Sequence, residues 1–337
     1  MALLSLPLLL TSCDVHERPD IAQSDVYVSL LFDLHALPTY QEVYYDLTRN
    51  RQSSRVSASD MELRYLVRCY AANSDSTYDE APCREFRFSN TNLSQLDYRC
   101  RLSLMPGRYR LRVWTDYVLT NAETDYYYDT SNFADISFCG DKNSYTGSTD
   151  FRTAFVGEKD IVVPPTLDID KPISIAAEID MVRPLARYKF VTTDLSDFIE
   201  KYLGITDPAE AARVDLSGYQ ILFRYTGFLP THFNLYTDRP FDAEQGYQFL
   251  SSISEANGSE ATLGFDYVFV NGHASSVSVA IGIYSKEGTL LSFSNPVEVP
   301  LMRNQQTIVR GRFLTTNSSG SIAIDHEYDG NYDIIIQ

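Results

Sequence analysis

Cys13 is the residue whose surroundings most directly specify a chemistry. It follows Met1 to Leu10 (MALLSLPLLL), an apolar run too short to cross a bilayer as a helix, and the small residues Thr11 and Ser12. A lipoprotein-type signal peptidase needs an apolar segment, small residues before the cut, and a Cys whose sulfur receives diacylglycerol. Residues 1–12 are therefore expected to be a signal peptide and Cys13 the lipid-attachment residue, with acyl chains such as palmitate holding the protein at a membrane. No Lys or Arg precedes Cys13, a departure from the usual basic start, which implies a true start upstream of Met1. Residues 13–24 then read as a polar tether.

A second candidate lies in the acidic, Tyr-rich passage Thr120 to Thr149. Its Glu123-Thr124-Asp125-Tyr126-Tyr127-Tyr128-Asp129 combines carboxylates with aromatic rings, the types that hold calcium or stack on sugars. The alternate oxygen ligands followed by Glu that a calcium loop requires are absent, so a solvated loop with tyrosines capping a sheet edge competes with a glycan site. The lone Trp114 shares a strand face with Arg108, Arg110, Arg112 and Asp116. Either the arginine stems lie over it on a solvated face, or Trp114 joins Tyr126, Tyr127 and Tyr128 in a platform for sugar rings.

Catalytic patterns are missing. The sequence has no Gly-x-Ser-x-Gly elbow, no phosphate-cradling Gly-rich loop and no His-Glu-x-x-His; Asp325-His326-Glu327 lacks the second His. With 45 Asp and Glu, a pair at glycosidase spacing would arise by chance. No enzyme activity, cofactor or metal is expected. Beyond Cys13, four cysteines remain (Cys69, Cys83, Cys100 and Cys139), which allow three pairings into two disulfides; alternation directs Cys69 and Cys100 to the core, where free thiols pack equally well.

These groups need a scaffold, and the composition names its class. At 337 residues the chain suits two packed domains, and 44% hydrophobic with 13% aromatic residues is too rich for disorder. A net charge of -17 repels phosphate backbones, which excludes nucleic acid as a partner. Period-two alternation dominates: Val26, Val28, Leu30, Phe32 and Leu34 form one face, as do Tyr109, Leu111, Val113, Thr115 and Tyr117. The polar connection Thr39 to Ser59, with Arg49, Arg51 and Arg55, is the most protease-accessible segment of the first half. One helix is expected after Asp194 or Ser196, with Leu195, Phe198, Ile199 and Tyr202 on one face and Gly204 closing it; Asp207-Pro208 can start a further turn. The fold class is all-β: an N-terminal β-sandwich over 25–183 and a C-terminal one over 184–337, with one short helix in the second.

Four segments carry a family resemblance. They are Cys13 to Pro19 (CDVHERP); Met105 to Tyr109 (MPGRY) running to Trp114-Thr115-Asp116-Tyr117; Arg183 to Phe190 (RPLARYKF); and Val299 to Thr307 (VPLMRNQQT) running to Gly311-Arg312-Phe313-Leu314-Thr315. With Ile324-Asp325 and Tyr328-Asp329-Gly330, the chain resembles the fimbrillin-like lipoproteins of Bacteroidota, in a branch related to minor fimbrial and fimbrial-anchor subunits. The resemblance implies two transthyretin-like sandwiches, a surface-exposed lipoprotein of the outer membrane, and other fimbrial subunits as partners. It further implies that an Arg-specific protease can remove the first strand, Asp25 to Leu34, at Arg49, Arg51 or Arg55, so that another subunit's strand enters the groove. An uncut loop with ordinary solubilising arginines fits the same residues, and anchor-type members keep strand and lipid. The tail Tyr332 to Gln337 is expected to be the last strand, with a donor strand as the alternative. Against the structural fimbrial role stands a surface glycan-binding lipoprotein for nutrient capture.

Overall fold

The computed structural model describes residues 23–32, 60–75, 77–165, 173–315, 322–324 and 331–336. The first half holds β1 (Ser24–Phe32), β2 (Met61–Ala71), β3 (Arg84–Asn90), β4 (Tyr98–Leu104), β5 (Gly107–Leu119), β6 (Tyr128–Asp129), β7 (Ile136–Phe138), β8 (Ala154–Val163) and β9 (Ser174–Met181). Strands β4-β1-β9 make one sheet and β3-β2-β5-β8 another. Their inner faces meet where the Phe32 ring packs edge-on against Phe155, centroids 4.9 Å apart, and against Tyr65. One side of the sandwich is closed by the approach of β8 to β9. A Cβ on Gly157 would lie 2.6 Å from Ile179 Cγ2 and Met181 Sδ, so only glycine lets the strands come this close.

The second half continues with β10 (Leu185–Thr192), the helices α1 (Leu195–Leu203) and α2 (Pro208–Ala211), then β11 (Gln220–Tyr225), β12 (Leu229–Asn234), β13 (Arg239–Glu244), β14 (Gln248–Ser252) and β15 (Ser254–Asn257). It ends with β16 (Glu260–Phe269), β17 (Ser275–Tyr284), β18 (Leu290–Phe293), β19 (Val297–Leu301), β20 (Gln306–Gly311), β21 (Ile322–Ile324) and β22 (Asn331–Ile336). The sheet β15-β16-β10-β20-β22-β21 faces the sheet β14-β11-β17-β18, in which β19 also pairs with β17. Phe190 meets Phe223 edge-on across this core at 5.4 Å. The halves repeat one wiring: β10 runs antiparallel to β16 and parallel to β20, as β1 runs antiparallel to β4 and parallel to β9. Both halves are thus strand-built sandwiches, and among the described residues the α-helical content is α1 plus the single turn α2, with a 3-10 turn at Asp150–Arg152.

Helix α1 buries Leu195, Phe198 and Ile199, and Gly204 ends it in the left-handed conformation at φ 70°. Asp194 sits at its start without capping it. The carboxylate instead accepts from the Thr315 backbone N–H (2.9 Å), the Leu314 N–H (3.2 Å) and the Thr315 hydroxyl (2.7 Å), pinning the turn after β20.

The passage Thr120 to Thr149 departs from a solvated loop. Its strands β6 and β7 join β12 and β13 in an antiparallel sheet, order β13-β12-β7-β6, with Ile136 opposite Phe233. The passage is therefore the seam between the halves, and it covers the outer face of β5. Trp114 and Asp116, expected on a solvated face, are 0% exposed, with the Trp114 ring 5.4 Å from Tyr128.

Candidate assembly site at the first strand

Strand β1 forms because SDVYVSLLF alternates, and the alternation is realised as burial. Val26, Val28 and Leu30 are fully buried, while Tyr27 on the other face is 47% exposed. Both edges of β1 are paired. Val28 lies opposite Cys100 of antiparallel β4 and Ala177 of parallel β9; Leu30 lies opposite Tyr98 and Ile179. The ends are pinned by polar contacts: Asp25 N–H donates to Ile173 O (3.2 Å), Phe32 N–H donates to Asp97 Oδ1 (3.0 Å), and Arg101 pairs with Asp25 at 2.8 Å. The Arg101 pair is open to solvent and contributes little. Taking β1 away would leave β4 and β9 with unpaired backbone groups on facing edges and a row of apolar pockets between them, which is the geometry that accepts a strand from outside.

Burial keeps the Cys69 and Cys100 thiols near this site protonated. Burial pushes the Cys69 thiol up to about 12 and that of Cys100 up to about 11. Cys100 Sγ points to Val28 O at 3.8 Å, and Cys83 Sγ donates to Cys69 O at 3.2 Å. Cys69, Cys83, Cys100 and Cys139 are all unbridged.

The structure buries most of the rings that the sequence offers as an aromatic platform. Tyr128 and Trp114 are 0% exposed and Tyr127 is 6% exposed, because β6 folds back onto β5; Tyr126, half-buried, packs edge-on against Tyr127. Trp114, Tyr127 and Tyr128 therefore do not share an open face with Tyr126. The neighbouring carboxylates are also committed: Asp125 accepts from Arg64 Nη1 (2.5 Å) and from the Thr130 N–H (2.7 Å), and Asp129 accepts from the Ser131 N–H (2.9 Å). Among the described residues no group of three or more His, Cys, Asp or Glu side chains is placed to hold a metal. Cys13, Arg49, Arg51 and Arg55 lie outside the described residues.

Two buried ionic clusters at the seam escaped sequence reasoning. Arg64 of β2 donates to both oxygens of Asp116 of β5 (2.9 and 2.7 Å) and through Nη1 to Asp125, which fixes the acidic passage to β2 and β5. Arg152 and Asp266, both inaccessible to solvent, approach to 3.7 Å across the two halves. Asp266 Oδ2 accepts from the Tyr145 and Tyr225 hydroxyls at 2.7 Å each, and Tyr188 donates to the Tyr225 hydroxyl at 2.9 Å. The Arg152 guanidinium lies over the rings of Tyr145 (4.2 Å) and Phe138 (4.5 Å). Burial raises the Asp266 carboxyl above its usual range, against the pull of Arg152 and the donating tyrosines.

The tail completes the second sandwich from its edge: β22 lies parallel to β20, Val309 opposite Ile334, and β21 pairs outside β22.

A family model described as "Family of unknown function (DUF6562)" matches residues 24–337. No curated protein sequence matches the chain. Among solved structures, the fimbrial anchor protein Mfa2 from Porphyromonas gingivalis is similar at 12% identity and a TM-score of 0.37, covering 80% of this chain and 81% of its own. A fimbrial assembly protein from Parabacteroides distasonis is similar at 12% identity and a TM-score of 0.41, covering 94% of this chain and 100% of its own.

Proposed function

Because the chain belongs to the DUF6562 family, which has no assigned function, we propose its role from its own strand order: it is a surface-anchored fimbrial or adhesion lipoprotein that assembles through the site filled by β1. The observation that carries this is the position of β1. It is a central strand with a fully buried inner face, and toward its C-terminal side its covalent link to the fold runs through residues 33–59, where Arg49, Arg51 and Arg55 stand. A cut there leaves β1 held by pairing and burial alone. The same segment continues upstream to Cys13, so cleavage both frees the groove and severs the body from its lipid. An uncut chain is a capped anchor; a cut chain is a subunit ready for another strand.

The test is digestion of the chain with an Arg-specific protease, followed by gel electrophoresis without boiling and by electron microscopy. Cutting between Arg49 and Arg55 is expected to give ladders or filaments, suppressed by excess synthetic peptide spanning Ser24 to Leu34. A cut chain that lost β1 and stayed monomeric would overturn the exchange mechanism. Separately, Cys13→Ala is expected to move the protein from membrane to soluble fractions with an unchanged melting temperature; a variant still sedimenting with membranes would remove the lipid anchor from the proposal.

A further inference from the structure

The outer face of the sheet β14-β11-β17-β18 is unlike the rest of this acidic surface. Leu250, Leu222, Gly282 and Phe293 stand in register across its four strands. Leu250 is 57% and Phe293 48% exposed. Single exposed apolar residues are ordinary, but a continuous row across four strands is not. Gly282 keeps the middle of the row low. The Tyr284 ring lies over it, 3.3 Å from where a Cβ would stand, so the rings of Tyr284 and Phe293 flank one shallow floor.

Polar groups with flat hydrogen-bonding geometry border the row. Gln220 lies opposite Tyr284 on one side, and the neighbours Arg224 and Gln248 lie on the other, all three exposed. The outward positions of these four strands carry no Asp or Glu, in a chain that has 45 of them and a net charge of -17. On the adjoining strand β19 the outward Glu298 is engaged by the Ser276 hydroxyl.

We propose that this face binds an uncharged oligosaccharide lying across the strands, with the Tyr284 and Phe293 rings beneath its sugar rings. The apolar C–H face of a pyranose packs on an electron-rich aromatic face. Its hydroxyls match amide and guanidinium groups that offer donors and acceptors side by side. Arg224 is the one charged side chain at the outward positions of these four strands, and the net charge of -17 disfavours an acidic polymer, which leaves an uncharged ligand as the better fit. The row spans three inter-strand gaps, about 14 Å at the usual strand spacing. That suits a short glycan segment, and the face is of the order of a few hundred Å², well below the roughly 800 Å² per partner of a stable dimer. The proposal is independent of whether β1 is ever exchanged.

The experiment is affinity electrophoresis of the full chain in native gels containing mannan, starch, laminarin or arabinoxylan, with polygalacturonate as the acidic comparison. At least one neutral polymer is expected to retard the wild type. Phe293→Ala and Tyr284→Ala should each weaken that retardation roughly tenfold, and Leu250→Asp should weaken it too, with melting temperatures near wild type. Migration unaffected by all four neutral polymers, retention by polygalacturonate alone, or equal retardation of wild type and Phe293→Ala would each overturn the proposal. So would a concentration-dependent dimer lost in Phe293→Ala, which would assign the face to a second copy.

Discussion

Asp266→Asn is expected to lower the free energy of unfolding by about 3–5 kcal/mol, the usual cost of removing one partner from a buried ion pair. Arg152 is inaccessible to solvent, its Nε and Nη2 have no hydrogen-bond acceptor, and Asp266 at 3.7 Å provides its counter-charge from across the seam. A guanidinium cannot shed its proton to escape that situation. The aromatic rings around it supply only part of the missing attraction. Because Tyr145 and Arg152 come from the first half and Tyr225 and Asp266 from the second, the loss should also uncouple the two sandwiches. Urea unfolding followed by tyrosine and tryptophan fluorescence checks both points: the expected trace has an earlier and broader transition. A shift below about 1 kcal/mol would mean that Arg152 does not depend on Asp266.

The reverse deletion should behave differently. In Arg152→Met the remaining carboxylate can take up a proton, and it keeps the Tyr145 and Tyr225 hydroxyls as neighbours. Burial already raises the Asp266 carboxyl above its ordinary range, and loss of Arg152 raises it further. A raised folded-state value means that the folded protein holds the proton more tightly than the unfolded chain, so stability is retained at low pH and lost as pH rises through the folded-state value. Arg152→Met should therefore approach wild-type stability toward acid pH and fall away from it toward neutrality, whereas Asp266→Asn should be destabilised at both.

The contrast between β1 and this seam explains what the sequence could disclose. Strand β1 packs one face on a core and turns the other to solvent, so its burial is written as simple alternation, Val26 and Val28 against Tyr27. Strands β6 and β7 are two and three residues long, and β7 pairs with β12 almost a hundred positions away, so no local period marks them. Tyr128 of β6 therefore reads in sequence equally as a sheet-edge cap and as a surface ring. The buried carboxylates left a fainter trace: Asp116 stands in Trp114-Thr115-Asp116-Tyr117-Val118-Leu119 and Asp266 in Leu263-Gly264-Phe265-Asp266-Tyr267-Val268-Phe269, runs apolar on both strand faces. A charge inside such a run is covered from both sides, and it needs a partner. Arg152 lies in a short connecting turn with no such signal, and only the three-dimensional seam reveals it. The row Leu250, Leu222 and Phe293 was equally hidden, since it runs across strands while the sequence runs along them.

Val28→Asp is expected to be the most damaging change in the first sandwich, by roughly 4 kcal/mol or more, because it places a carboxylate with no partner at a fully buried position. Val28 sits mid-strand between Cys100 and Ala177, too deep for the new side chain to reach water by a rotamer change. Tyr27→Asp, one residue earlier but on the exposed face, should change stability by no more than about 0.5 kcal/mol. Because residues 33–59 are the link between β1 and the rest of the body, the damage should appear first as undocking of β1, with faster cleavage near Arg49 to Arg55 in Val28→Asp than in Tyr27→Asp. The pair of variants also bears on assembly. Strand exchange is driven by whatever refills the pockets of Val26, Val28 and Leu30, so the energy that β1 gives its own sheet sets the energy an incoming strand can gain. If Val28→Asp melted like Tyr27→Asp, those pockets would contribute little to stability, and a groove of so little value could not hold a fibre together.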